Sequence, residues 1–109
     1  MLLRLLGRGG SKTGDCPTLY ATDRDTYVVI GWETEPGTGT VRLPHLLLGF
    51  AEPDTYLGAT MTDADDGTFF ITGRPVIEPD LLVRVELAPG ETCIEVPKHR
   101  RTFYGVEDR

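Results

Sequence analysis

Serine occurs once in 109 residues, and histidine and cysteine twice each. Nucleophilic catalysis through a serine needs that residue on a tight glycine elbow with a base in reach. Ser11 instead lies in a stretch of glycines and cations, so no such constellation is expected. His45 and His99, like Cys16 and Cys93, are separated by long intervals. Neither pair has the close C-x-x-C or H-x-x-x-H spacing that holds zinc. The expectation is therefore two exposed histidines, two small core cysteines kept as thiols, no metal and no cofactor.

Long apolar runs are also lacking. The opening leucines are interrupted by Arg4 and ended by Gly7, whereas a membrane-spanning helix needs about 20 apolar residues and a secretory signal a longer apolar core. Leu2, Leu3, Leu5 and Leu6 read as a short strand or helical turn against a core, and the chain as cytoplasmic. Residues 7–14 read as a flexible connector, so that 1–14 form a basic lead and the fold begins near Asp15.

Basic residues are scarce in the middle of the chain. Residues 15–97 hold fifteen acids against only Arg24, Arg42, Arg74 and Arg84, while both ends are basic and the whole carries −6. Such an acidic body repels nucleic acid and anionic lipid and attracts basic proteins. The cluster Lys98, His99, Arg100 and Arg101, followed by Phe103 and Tyr104, mixes cations with aromatics, but too few cations for a nucleic-acid site; a solvated strand end or a tail touching an acidic neighbouring subunit suits it better. A homodimer is compatible with that reading. The glycines of residues 7–13 lack the spacing of a phosphate loop. The turn Asp63, Asp65, Asp66 and Gly67 invites calcium, yet the helix-loop-helix ligand positions fall on Thr62, Ala64 and Gly73. An Asp-Gly hairpin turn accounts for the same residues.

What the sequence does have is punctuation and β-formers. Thirteen glycines and eight prolines leave room only for short elements. Runs rich in β-branched and aromatic residues fall at 18–21, 26–33, 40–43, 56–61, 68–73, 81–87 and 92–96. Residues 46–50 fit a helical turn or a buried strand equally well. The pattern predicts an all-β fold, a small barrel or sandwich of short antiparallel strands spanning 15–105, with a tail at 106–109.

The chain also resembles itself. Residues 22–32 align with residues 62–74 if the second copy carries two extra turn residues. Beyond that hairpin, Val41 and its neighbours match either residues 83–85 or residues 94–97, and the two registers conflict. Two duplicated half-units, about 15–50 and 56–105, would bury one core about a pseudo-twofold axis, with Gly31 and Gly73 as equivalent bends.

The stretch from Cys16 to Trp32 resembles the opening of a group of small actinobacterial proteins, and Gly90 to Pro97 its closing strand. The group is similar, more distantly, to BldB-like regulators, which are encoded beside helix-turn-helix transcription factors. That resemblance implies action through protein contacts and brings no catalytic residues. This chain departs from the group in its long middle, residues 35–61. The expected function is a non-enzymatic, acidic protein-binding module for a basic partner such as a helix-turn-helix regulator. Tyr20, Asp23, Asp25, Tyr27, Trp32, Asp63, Asp65 and Asp66 are the candidate binding residues. The alternative is a small-ligand or carbohydrate binder using Trp32, Tyr20 and Tyr27 as a platform beside Asp23 and Asp25.

Overall fold

The computed structural model describes residues 1–9 and 16–102. It is predominantly antiparallel β: β1 (Leu3–Arg8), β2 (Thr18–Thr22), β3 (Thr26–Glu33), β4 (Thr40–Pro44), β5 (Thr55–Leu57), β6 (Met61–Asp63), β7 (Thr68–Thr72), β8 (Arg74–Pro75) and β9 (Glu91–Arg100). A 3-10 helix (His45–Phe50) follows β4, and one helix, α1 (Pro79–Val85), precedes β9. The strands run β1-β2-β3-β4-β7-β6 across the sheet, with β9 joined to β3, β5 and β8. The sheet does not close, because β1 and β6 end the path, so the expected barrel or sandwich is met only in its antiparallel β character.

Alternation along β3 divides the core. Tyr27 and Val29 point into a first cluster with Leu19, Val41, Leu43, Leu47, Ile71, Ile94 and Val96. Val28 and Ile30 point the other way, into a second cluster with Cys93, Val76, Leu81 and Val85 under α1. Burial on both faces explains why β3 reads as an almost continuous apolar run.

The self-similarity has a physical counterpart in the registers. Leu19 pairs with Val29 and Ala21 with Tyr27, as Met61 pairs with Ile71 and Asp63 with Phe69. Tyr27 pairs with Val96 and Val29 with Ile94, as Phe69 pairs with Leu43 and Ile71 with Val41. Trp32 pairs with Arg42 as Arg74 pairs with Glu95. Each half thus lends a strand to the other: β9 lies on β3, and β4 lies on β7. Gly31 and Gly73 are equivalent in contact as well as in sequence. A Cβ on Gly31 would stand 2.6 Å from the Arg42 carbonyl oxygen, and one on Gly73 2.8 Å from that of Glu95. These bends exist because only glycine lets the neighbouring backbone approach so closely.

The same correspondence carries an exchange of charge. Arg24 pairs with Glu95 at 3.3 Å in one half, and Asp66 pairs with Arg42 in the other. The registers make Arg24 equivalent to Asp66, and Glu95 to Arg42, with signs reversed.

Four expectations are corrected. The fold begins at β1 rather than near Asp15, since Leu3 to Arg8 pair antiparallel with β2. Arg4 bridges to Glu52, the Leu2 N–H reaches Asp23 and Arg84 reaches the Met1 carbonyl, so this end is tied at three places. The part of the connector from residue 10 to 15, Phe103, Tyr104 and the tail lie outside the described residues. Second, residues 81–87 are not a strand. Pro79 opens a helix, Leu81 and Val85 are buried one turn apart, and Glu86 ends it at φ 51°. Third, the hairpins contain no insertion, because the pairings above hold a constant offset of 42 from Leu19/Met61 to Trp32/Arg74. The shared threonines had drawn the alignment two residues off. Fourth, residues 41–44 correspond to 94–97 and not to 83–85, which lie in α1. The ambiguous residues 46–50 are the 3-10 helix.

Candidate functional site

The eight candidate residues are not brought together. Tyr27 is wholly buried, its hydroxyl bonded to Thr55 and accepting the Glu52 N–H at 2.9 Å, with Lys98 5.2 Å from its ring centre. It holds the 3-10 segment, β5 and β9 together and is absent from any surface platform. Asp23 accepts the Leu2 N–H at 3.0 Å, and this bond, aided by the nearby N-terminal and Arg24 charges, draws its carboxyl below the ordinary value. Asp25 pairs with Arg100 at 3.1 Å. Asp63 accepts the Asp65 N–H and Asp66 the Thr68 N–H, so both shape the second hairpin, where Gly67 supplies the positive φ. Of the three aspartates in this turn, Asp66 is the one paired with a cation among the described residues, Arg42. Among the described residues no three His, Cys, Asp or Glu converge as metal ligands would.

Tyr20 and Trp32 do share a face. Both stand on the side of the sheet that α1 covers, Tyr20 packed against the second cluster and Trp32 half-buried two residues beyond Ile30. Beside Tyr20 and the end of α1 lies a cleft of about 240 Å³, lined by Arg8, Cys16, Thr18, Tyr20, Ile30, residues 84–86, Ala88 and Glu91. Its walls are chiefly polar. Thr18 is committed to the Cys16 carbonyl at 2.9 Å. Glu91 accepts the Ala88 N–H at 2.9 Å through Oε1, while its Oε2 is shielded and has no hydrogen-bond partner.

The same end of the molecule gathers carboxylates that sequence reasoning missed. Glu91 is the cross-strand partner of Trp32, the Glu33 N–H donates to the Gly90 carbonyl at 2.8 Å, and Glu86 lines the cleft with Glu91. Glu35 follows two residues past Glu33 in the loop to β4. Glu33, Glu35 and Glu86 are exposed, and none of the four makes an ion pair. The usable signal in the sequence was the absence of any lysine or arginine between Arg24 and Arg42.

On the opposite flank Glu95 is buried among cations. Its burial raises the carboxyl pKa, but the Thr26 hydroxyl at 2.5 Å, the Arg74 guanidinium and the Arg24 charge outweigh that, and the net shift is downward. Arg74 is raised in turn, chiefly by its bond to Glu95. The two cysteines are free, Cys16 half-buried in the cleft wall and Cys93 buried. Burial, with the Glu78 and Glu95 charges, pushes the Cys93 thiol up to about 12, which makes it an inert core residue.

No family model, curated protein or solved structure matches the chain. No helix among the described residues is long and apolar enough to cross a membrane.

Proposed function

We propose that the protein is a non-enzymatic binding module that receives a basic protein surface at its acidic end. The observation that carries this is that Glu33, Glu35, Glu86 and Glu91 join no ion pair among the described residues, with half-buried Trp32 the cross-strand partner of Glu91 and Glu86 lining one cleft with Glu91. Five other carboxylates are spent on cations: Glu52 on Arg4 and Lys98, Glu95 on Arg24 and Arg74, Glu78 on Arg74, Asp66 on Arg42, Asp25 on Arg100. Uncompensated like charges at one end cost stability and speed association with an opposite surface. An aromatic beside them offers the central anchor that interfaces favour. The DNA-reading helix of a helix-turn-helix regulator has the required charge, and its capture here would compete with DNA.

The platform reading with Tyr27 loses its geometry, because that ring faces the opposite core from Trp32. The test uses an arginine- and lysine-rich recognition-helix peptide as probe. Its affinity should fall with added salt, and should drop about tenfold in a Glu33→Gln, Glu35→Gln, Glu86→Gln protein, at roughly 0.5 kcal/mol per exposed charge. An Asp63→Asn, Asp65→Asn protein is the control and should bind nearly as before. Salt-independent affinity, or equal losses in both proteins, would overturn the reading.

A further inference from the structure

The cleft beside α1 has a feature that an acidic docking face does not require: it presents unpaired charges of both signs. Elsewhere Arg4, Arg24, Arg42, Arg74 and Arg100 each reach a carboxylate. Arg84 is committed to the Met1 and Asp80 carbonyls at 2.6 and 3.4 Å. Arg8 lines the cleft, is exposed and joins no ion pair, although Glu86 and Glu91 line the same space. The cleft, at about 240 Å³, is smaller than the about 300–1,000 Å³ typical of drug-sized ligands. Tyr20 also lines it, and its exposed walls are almost wholly polar.

We infer that this cleft binds a small polar zwitterion of the amino-acid type, its ammonium toward Glu91 and Glu86 and its carboxylate toward Arg8. Ammonium N–H donors pair with the carboxylates of Glu86 and Glu91, which line the cleft. The guanidinium of Arg8 offers the paired donors a carboxylate takes. A cation alone would meet Arg8 unfavourably, and an anion alone would meet two glutamates. This inference shares Glu86 and Glu91 with the basic-partner reading, but Arg8 belongs to it alone, so the Arg8→Gln arm fails or holds independently of that reading.

The experiment screens the common free L-amino acids against the full chain by saturation-transfer NMR, with each hit repeated as its N-acetyl and its carboxamide derivative. At least one free amino acid should bind, both derivatives should bind at least tenfold more weakly, and Glu91→Gln and Arg8→Gln should each weaken binding at least tenfold. Alkylation of Cys16 should slow when the ligand is added, with Cys93 as the unreactive internal reference. Circular dichroism confirms that the variants fold; Arg8 is exposed and Glu91→Gln keeps the side-chain shape. Absence of binding, meaning that the cleft holds water only, overturns the inference. So does binding that survives removal of either ligand charge or either protein charge.

Discussion

Replacing Gly31 or Gly73 by alanine tests the interlocked arrangement directly. Neither glycine has a positive φ, so a penalty at these sites comes from space alone. The added methyl would meet the Arg42 oxygen at 2.6 Å and the Val41 side chain at 3.1 Å in one case, and the Glu95 oxygen at 2.8 Å and the Val96 side chain at 2.6 Å in the other. Carbon and oxygen normally approach no nearer than about 3.3 Å even in weak hydrogen bonds, so a strand must retreat by several tenths of an ångström. Forcing a methyl into packed surroundings costs about 1–3 kcal/mol. We expect about 2 kcal/mol at each site, and near-equal values because the contacts are equivalent. Gly37 is the contrast, with φ +80° and nothing within 4 Å of the added carbon; Gly37→Ala should cost about 1 kcal/mol through backbone strain only. Urea unfolding followed by Trp32 fluorescence gives these differences, and thermal melts should show a fall of about 10 °C for the two bend variants. If Gly31→Ala and Gly73→Ala each lose less than Gly37→Ala, the close backbone approach at the bends is not a constraint and the reasoning fails.

Three further outcomes follow from the interior. Tyr27→Phe removes the acceptor of the buried Glu52 N–H and the partner of Thr55, and should cost about 1–3 kcal/mol in urea titration; a loss below about 0.5 kcal/mol would show that water replaces the hydroxyl freely. Because the Glu95 carboxyl is held below its ordinary 4.5 in the folded state, its contribution is complete above that value and is lost as pH falls through the lower folded one. Stability measured between about pH 5 and pH 3 should therefore fall less steeply in Glu95→Gln, which is weaker at neutrality; parallel slopes would discredit the assignment. A thiol reagent at neutral pH should modify Cys16 in the folded protein and Cys93 only on unfolding, as mass spectrometry of quenched samples will report.

Much of the sheet was legible because β-formers bounded by glycine, proline and aspartate mark strands locally. Residues 26–33 and 92–96 satisfied every local rule, and they lie side by side as β3 and β9. α1 was misread because seven residues give barely two turns, and Leu81 to Leu87 suit either period; Pro79 followed by buried positions four apart was the discriminating sign. β1 was masked by its arginines and glycine. Its anchors, Asp23, Glu52 and the β2 edge, are distant in sequence, and no local pattern encodes them. The site was less legible still. Aspartates that looked available in the hairpin turns are consumed by local N–H groups and by Arg42 and Arg100. The glutamates left without ion pairs come from the end of β3, the loop after it, the end of α1 and the start of β9, and only the pairing of β3 with β9 sets Glu91 beside Trp32.

The reversed ion pairs bear on how the chain recognises itself. Residues around Arg24 and Arg42 belong to one half, and those around Asp66 and Glu95 to the other. Two copies of the first half meeting in the interlocked geometry would set arginine against arginine; two copies of the second would set aspartate against glutamate. Only the mixed pairing joins opposite charges at both places. A repeat that kept identical residues at these positions could not tell its sister half from its own twin in another molecule. The sign reversal gives a newly made chain at high concentration an electrostatic ground for matching unlike halves.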